Sequence, residues 1–170
     1  MMGRVQLILA MVAGGLVATA CDASPASATL TNAQISALQT QAAMYQIDQI
    51  EVTWHKAASI KDLDLMMTLW ADNATFQIGT LTYSGKAQIR SFWATAKPFL
   101  PQNIWVDETP AYKARITVSG QTGTLYFECH FINVPTRTLV AVVATNAQVA
   151  KINGRWLITS SVGSTPFLKP

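Results

Sequence analysis

The sequence predicts an α+β domain, with three N-terminal helices packed on one face of a strongly curved, mainly antiparallel sheet. Three observations carry this prediction. Apolar residues recur at spacings of three and four over residues 33–59 and again over 86–96. From residue 112 onward they alternate in twos between turn signals. Between the two regimes lies a corner, residues 63–79, where an apolar helix passes through Asp72 and Asn73 into a strand.

The first helix is expected over residues 33–59, with Thr31 or Asn32 as its cap and Ile35, Leu38, Ala42, Ile47, Ile50, Trp54 and Ala57 as its apolar face. Asp48, Glu51 and His55 share a different stripe, which reads as solvated. Asp62 or Asp64 caps a second helix ending near Trp70, and a strand follows over 74–81. Tyr83-Ser84-Gly85 turns into a third helix over 86–96, which Pro98 and Pro101 end. A short strand at 104–106 precedes one over 112–119, a hairpin turn at Gly120-Gln121-Thr122-Gly123 and a strand over 123–134. A long strand over 139–152, the Asn153-Gly154 hairpin signal and a last strand over 155–162 complete the order. No internal repeat is visible. A curved sheet of this kind does not close on itself, so the helices leave an apolar cone whose mouth is a natural ligand site.

Length and composition bound the function. A chain of 170 residues suits one domain with an adequate core. Half of it is hydrophobic and only 12% is charged, which excludes a disordered body. The net charge is +3, but Lys56, Lys61, Lys86, Arg90, Lys97, Lys113 and Arg115 are scattered and form no phosphate-tracking run. Nucleic acid is therefore not an expected partner.

Residues 1–20 read as a signal peptide: Arg4 supplies the positive end, and the apolar run that follows is shorter than the ~20 residues a bilayer crossing needs. Ala18-Thr19-Ala20-Cys21 resembles a bacterial lipobox, with Cys21 as the lipidated new N-terminus, although Ala18 stands where Leu is usual. Ala26-Ser27-Ala28 offers ordinary cleavage instead, and a retained anchor helix is the third possibility. Residues 21–31, rich in Ala, Ser and Pro, read as a tether, residues 32–163 as the domain and 164–170 as a tail. The expected location is outside the cytoplasm, lipid-anchored to the cytoplasmic membrane or in the periplasm, with secretion as the alternative. Asp22 resembles an inner-membrane retention signal. With Cys21 acylated, Cys129 has no partner in the chain and reads as a small buried hydrophobe.

The motif Leu69-Trp70-Ala71-Asp72-Asn73-Ala74-Thr75-Phe76 resembles the helix-to-strand signature of the SnoaL-like polyketide cyclases, within the nuclear-transport-factor-2-like superfamily. Gly85 followed by Ile89 and Phe92, Trp54 on the first helix, and Asn153-Gly154-Arg155-Trp156-Leu157-Ile158 agree in order and spacing. The resemblance covers roughly residues 33–162 and implies a cone-shaped α+β barrel, frequent dimerisation through the outer sheet face and a deep apolar pocket. Tyr45, Trp54, Trp70, Phe76, Ile78, Tyr83, Phe92 and Trp93 are the expected pocket residues. The superfamily holds isomerases, dehydratases, cyclases, hydrolases and binding domains, so fold alone leaves function open.

By the resemblance, the tyrosine position of the ketosteroid isomerase falls on Trp54 and its base position on Ile78, which cannot take a proton. The dehydratase histidines fall near Asn103 and Thr136, and its helix acid near Ser59. His130 is the strongest remaining base, with Glu128 or Tyr126 to orient it, if that strand face lines the cone. The more apolar set Leu125, Phe127, Cys129 and Phe131 competes for the inner face, which would leave His130 and Glu128 in solvent or at a dimer contact. His55 points about 100° away from Trp54 and reads as solvated. No His pair or carboxylate cluster has metal-ligand spacing, no Gly-rich phosphate loop or nucleophile elbow is present, and no cofactor is called for.

The expected function is binding of a small hydrophobic molecule. A small isomerase, cyclase or hydrolase using His130 is the alternative, and a dimerising scaffold the second. For the anchor, cells expressing the protein are expected to incorporate radioactive palmitate into it, and Cys21→Ala is expected to abolish the label. Equal label in both would exclude lipidation at Cys21.

Overall fold

A computed structural model describes residues 29–108 and 113–164. The signal peptide, Cys21, the tether up to residue 28 and the tail beyond Ser164 lie outside the described residues. Among the described residues no helix is long and apolar enough to cross a membrane.

α1 (Asn32–Ile60) is one unbroken helix of 29 residues, about 43 Å long at ~1.5 Å per residue. Only its C-terminal half is core, through Ile47, Ile50, Trp54, Ala57 and Ala58. Ile35 and Leu38, expected on the buried face, are exposed. Glu51 and His55, expected in solvent, are each only 7% exposed. Both departures have one cause. The sheet reaches only the second half of α1, and there it covers a face wide enough to include Glu51 and His55.

α2 (Leu63–Met67) is capped by Asp62, whose Oδ1 accepts the Leu65 amide at 2.8 Å. β1 (Trp70–Ile78) then begins earlier than the apolar pattern predicts. The cause is sheet pairing: the Ile158 amide donates to the Leu69 carbonyl at 2.8 Å, and Trp70 aligns with Ile158. A register shift between Trp70 and Thr75 turns Asp72 and Asn73 to solvent within the strand. Asp72 there pairs with Lys86 at 3.0 Å.

β2 (Leu81–Ser84) was not legible, being short and mostly exposed. α3 (Lys86–Thr95) and a 3-10 turn (Lys97–Phe99) follow, then β3 (Trp105–Glu108) and β4 (Arg115–Ser119). β5 (Thr122–Asn133), β6 (Thr138–Ile152) and β7 (Arg155–Gly163) complete the sheet. The strand order is β2-β1-β7-β6-β5-β3, with β4 also on β5. β1 and β7 run parallel and every other pairing is antiparallel. Register shifts at Phe131/Ile132 and Gln148/Val149 bend the two longest strands. The sheet curves around the second half of α1, and α3 packs on β1 and β2.

Trp54 sits where these layers meet. Its ring lies 5.0 Å from Trp93, 5.3 Å from Phe127 and 5.7 Å from Trp70, with edge-to-face or tilted geometry.

The β4–β5 turn is tighter than the sequence predicts: Gly120 takes φ 60°, and β5 already begins at Thr122, which pairs with Ser119. A Cβ on Gly123 would run into the Thr117 carbonyl and lie 3.3 Å from Ile47 Cδ1. Gly123→Ala is therefore expected to cost about 1–3 kcal/mol in urea unfolding, and an unchanged midpoint would contradict the close approach.

Candidate functional site

The inner face of the sheet, α1 and α3 enclose a cavity of about 920 Å³. Trp54 comes from α1, Phe76 and Ile78 from β1, Phe92 and Trp93 from α3, and Phe131 from β5. The strand pair Phe76 and Ile78 share a face because they are two residues apart, whereas Phe92 and Trp93, adjacent on α3 and about 100° apart, line the cavity over a wider arc of that helix. The polar side chains on the wall are those of Lys97, Asn133, Thr145 and Ser164. Lys97 Nζ lies 3.9 Å above the Trp105 ring, a cation–π contact on that wall.

The remaining expected pocket residues sit elsewhere. Tyr45 is 66% exposed on α1, on the helix's solvent side. Trp70 is fully buried beneath Trp54 and does not reach the cavity. Tyr83 stacks behind the wall, 4.9 Å from Phe92 and 6.2 Å from Phe76.

Leu125, Phe127, Cys129 and Phe131 take the inner face of β5, and alternation turns Tyr126, Glu128 and His130 to the outer face. There the Tyr126 hydroxyl donates to Glu128 Oε1 at 2.8 Å, and His130 Nε2 meets Glu128 Oε2 at 3.0 Å. Lys113 Nζ lies 3.4 Å from Oε1, and the Arg115 guanidinium stacks 4.2 Å from the Tyr126 ring. The hydrogen bond from His130 holds the Glu128 carboxyl below its usual range, helped by Tyr126 and Lys113 and opposed by burial. Tyr126's own hydrogen bond to Glu128 raises its hydroxyl pKa. The pair expected to act as base and orienter thus exists as a hydrogen-bonded unit, on the side of the sheet away from the cavity.

A second polar cluster lies behind the cavity floor, and the sequence did not point to it. It joins Glu51 and His55 of α1, Asp107 of β3 and Cys129 of β5. Ser59 positions Asp107 by accepting its amide at 2.8 Å and donating to its carbonyl at 3.1 Å. Asp107 is 4% exposed and Cys129 2%. His55 Nδ1 lies 2.6 Å from the Glu51 carbonyl. A carbonyl only accepts, and the Glu128 carbonyl is a second acceptor for the ring, so the two carbonyls compete for the one proton of the neutral imidazole. Nε2 lies 3.7 Å from Asp107 Oδ1.

Burial lowers the His55 pKa to about 4, outweighing the Glu51 and Glu128 carbonyls that favour the charged ring. Burial likewise pushes the Asp107 carboxyl well up, with Glu51 and Glu108 adding to it. The Cys129 thiol rises for the same reason, reinforced by Asp107, although Thr145 and the Trp54 indole N–H hydrogen-bond the sulfur and pull the other way. Burial thus favours the neutral form of all three groups. Cys129 is the one of them that touches the cavity. As a protonated thiol it is not an activated nucleophile.

The fold and its cavity define an α+β, nuclear-transport-factor-2-like domain. A protein of unknown function with a cystatin-like fold from Nostoc punctiforme matches with TM-score 0.65 and 15% identity, over 83% of this chain and 97% of that one. A nuclear-transport-factor-2-like protein with a cystatin-like fold from Novosphingobium aromaticivorans matches with TM-score 0.66 and 18% identity, over 81% and 90%. A candidate ketosteroid isomerase from Shewanella frigidimarina matches with TM-score 0.58 and 13% identity, over 70% and 94%. No curated protein matches the chain. Within that fold the chain belongs to the SnoaL-like domain family, which matches over residues 39–162.

The Glu128 unit gives a pH test. A carboxyl held below its ordinary 4.5 adds stability that is present above that value and is lost as pH falls below it. Glu128→Gln is expected to melt roughly 2–5 °C lower at pH 7, with the difference closing as pH drops below 4.5. A gap independent of pH would mean that Glu128 acts through packing alone.

Proposed function

We propose that this SnoaL-like domain binds a small, predominantly apolar molecule in the cavity between α1, α3 and the inner sheet face. The observation that carries the reading is the cavity itself: about 920 Å³, walled by aromatic rings. That is the upper end of the ~300–1,000 Å³ typical of small-molecule sites. The ligand class it favours is a fused-ring or long-chain apolar skeleton. Its one or two polar groups would meet Lys97, Asn133 or Ser164. Trp54 and Trp93 supply rigid faces that lose little entropy on contact.

Catalysis has less support. Ile78 lines the wall at the position where the isomerase resemblance needs a base. His130 and Glu128 face away from the cavity. The neighbouring structures lend the fold alone at their level of identity.

Export, a lipid anchor at Cys21 and pairing of two copies through the outer sheet face belong to the same proposal. The sequence of residues 1–31 supports the first two. The half-buried Tyr126–Glu128–His130 unit on the outer face suits the third.

Filling the cavity tests the binding. Ala141 and Val143 of β6 both face it. Ala141→Phe and Val143→Phe are each expected to keep the circular dichroism spectrum and to weaken binding of an anilinonaphthalene fluorophore at least tenfold. Unchanged affinity in both folded variants would place the binding elsewhere.

A further inference from the structure

We propose that His55, Asp107 and Cys129 form a binding site for a single zinc ion, with a fourth coordination position open to the cavity floor. The three side chains come from α1, β3 and β5, and one ligand atom from each lies within 4.8 Å of the others. Bond lengths of about 2.0–2.3 Å in a tetrahedral zinc site put neighbouring ligand atoms roughly 3.4–3.6 Å apart. His55 Nε2 and Asp107 Oδ1 already stand 3.7 Å apart. The longest edge needs to close by at most about 1.2 Å, within reach of small rotations at Cys129 and His55.

Three further features belong to a metal site. First, the Glu51 carbonyl 2.6 Å from Nδ1 would accept the Nδ1–H of an imidazole bound to zinc through Nε2, the nitrogen 3.7 Å from Asp107 Oδ1. Second, apart from the Cys129 thiol, neither Asp107 oxygen has a hydrogen-bond partner among the described residues, in a side chain that is 0% exposed. Buried carboxyl oxygens left without other partners are costly unless a cation or a proton meets them. Third, the indole N–H of Trp54 and the Thr145 hydroxyl point at the sulfur, as donors that would stabilise a metal-bound thiolate.

The charges also balance. Zinc takes the cysteine as thiolate and the aspartate as carboxylate, any proton they carry passing to solvent, which leaves Zn²⁺ with one thiolate, one carboxylate and one neutral imidazole. The set is electrically neutral, which suits a buried location. Imidazole with thiolate favours zinc over magnesium or calcium. Cys129 forms part of the cavity wall, so the fourth position faces the cavity and takes water or a heteroatom of a bound molecule. The site is independent of the ligand-binding proposal, since zinc binding requires no cavity occupant. The competing occupant is one proton shared between Asp107 and His55.

The test uses the full chain carrying Cys21→Ser, which leaves Cys129 as the single thiol. The chelator-treated protein is titrated with Zn²⁺ and, separately, with Co²⁺. The expected result is one equivalent of Zn²⁺ bound with a rise in melting temperature. Co²⁺ should give a thiolate-to-cobalt charge-transfer band and intense tetrahedral d–d bands. Cys129→Ser should abolish the charge-transfer band, Asp107→Asn should weaken zinc binding at least tenfold, and His130→Ala should leave both unchanged. Asp107→Asn keeps the side-chain shape, and its circular dichroism verifies the fold. Absence of stoichiometric binding in the folded parent overturns the site in favour of the shared proton. Binding that persists at full strength in both Cys129→Ser and Asp107→Asn overturns it as well.

Discussion

Trp54 is the residue on which the layers of this domain depend. Its ring touches Trp70 under the sheet corner, Trp93 on α3 and Phe127 on β5, and it also forms part of the cavity wall. One side chain thus fixes the distance between helix and sheet and sets the floor of the space between them. Loss of a buried tryptophan typically costs about 3–5 kcal/mol. Here it would also open the floor to the polar cluster behind it, since the Trp54 indole N–H faces Cys129.

The period-two geometry of β5 imposes the second constraint. Ten residues, Thr122 to Phe131, run without a break in register until the shift after Phe131. Phe127, Cys129 and Phe131 face inward, so Tyr126, Glu128 and His130 must face outward. A one-residue slip would exchange the faces and bury a Glu–His pair in place of two phenylalanines. The burial of Phe127 and Leu125 makes that slip too costly. The position of His130 is therefore a consequence of packing.

Most of the architecture was legible in the sequence, because strongly periodic segments report their own faces. The second half of α1, α3 and the β5, β6 and β7 strands fall where apolar spacing puts them. Trp70 entered a strand because a parallel partner, β7, reaches it, and no local signal announces a partner as distant in sequence as Ile158. β2 left no pattern because almost none of it is buried. The buried cluster was hidden for a different reason. His55, Asp107 and Cys129 are far apart in sequence, so no spacing motif connects them. One signal was present. Counting by three and four from Ile47 gives 50, 51, 54, 55 and 58, so Glu51 and His55 lie on the same wide stripe as Ile50 and Trp54. Treating polar residues as solvated by default concealed them.

Fluorine NMR of protein labelled with 5-fluorotryptophan tests the cavity most directly, because the five tryptophans divide cleanly. Trp54, Trp93 and Trp105 line the cavity, whereas Trp70 and Trp156 are buried away from it. Titration with an apolar fused-ring probe is expected to shift the first three resonances in saturable fashion and leave those of Trp70 and Trp156 in place. Shifts confined to Trp70 or Trp156, or no saturable shift in a folded protein, would contradict the cavity as the binding site.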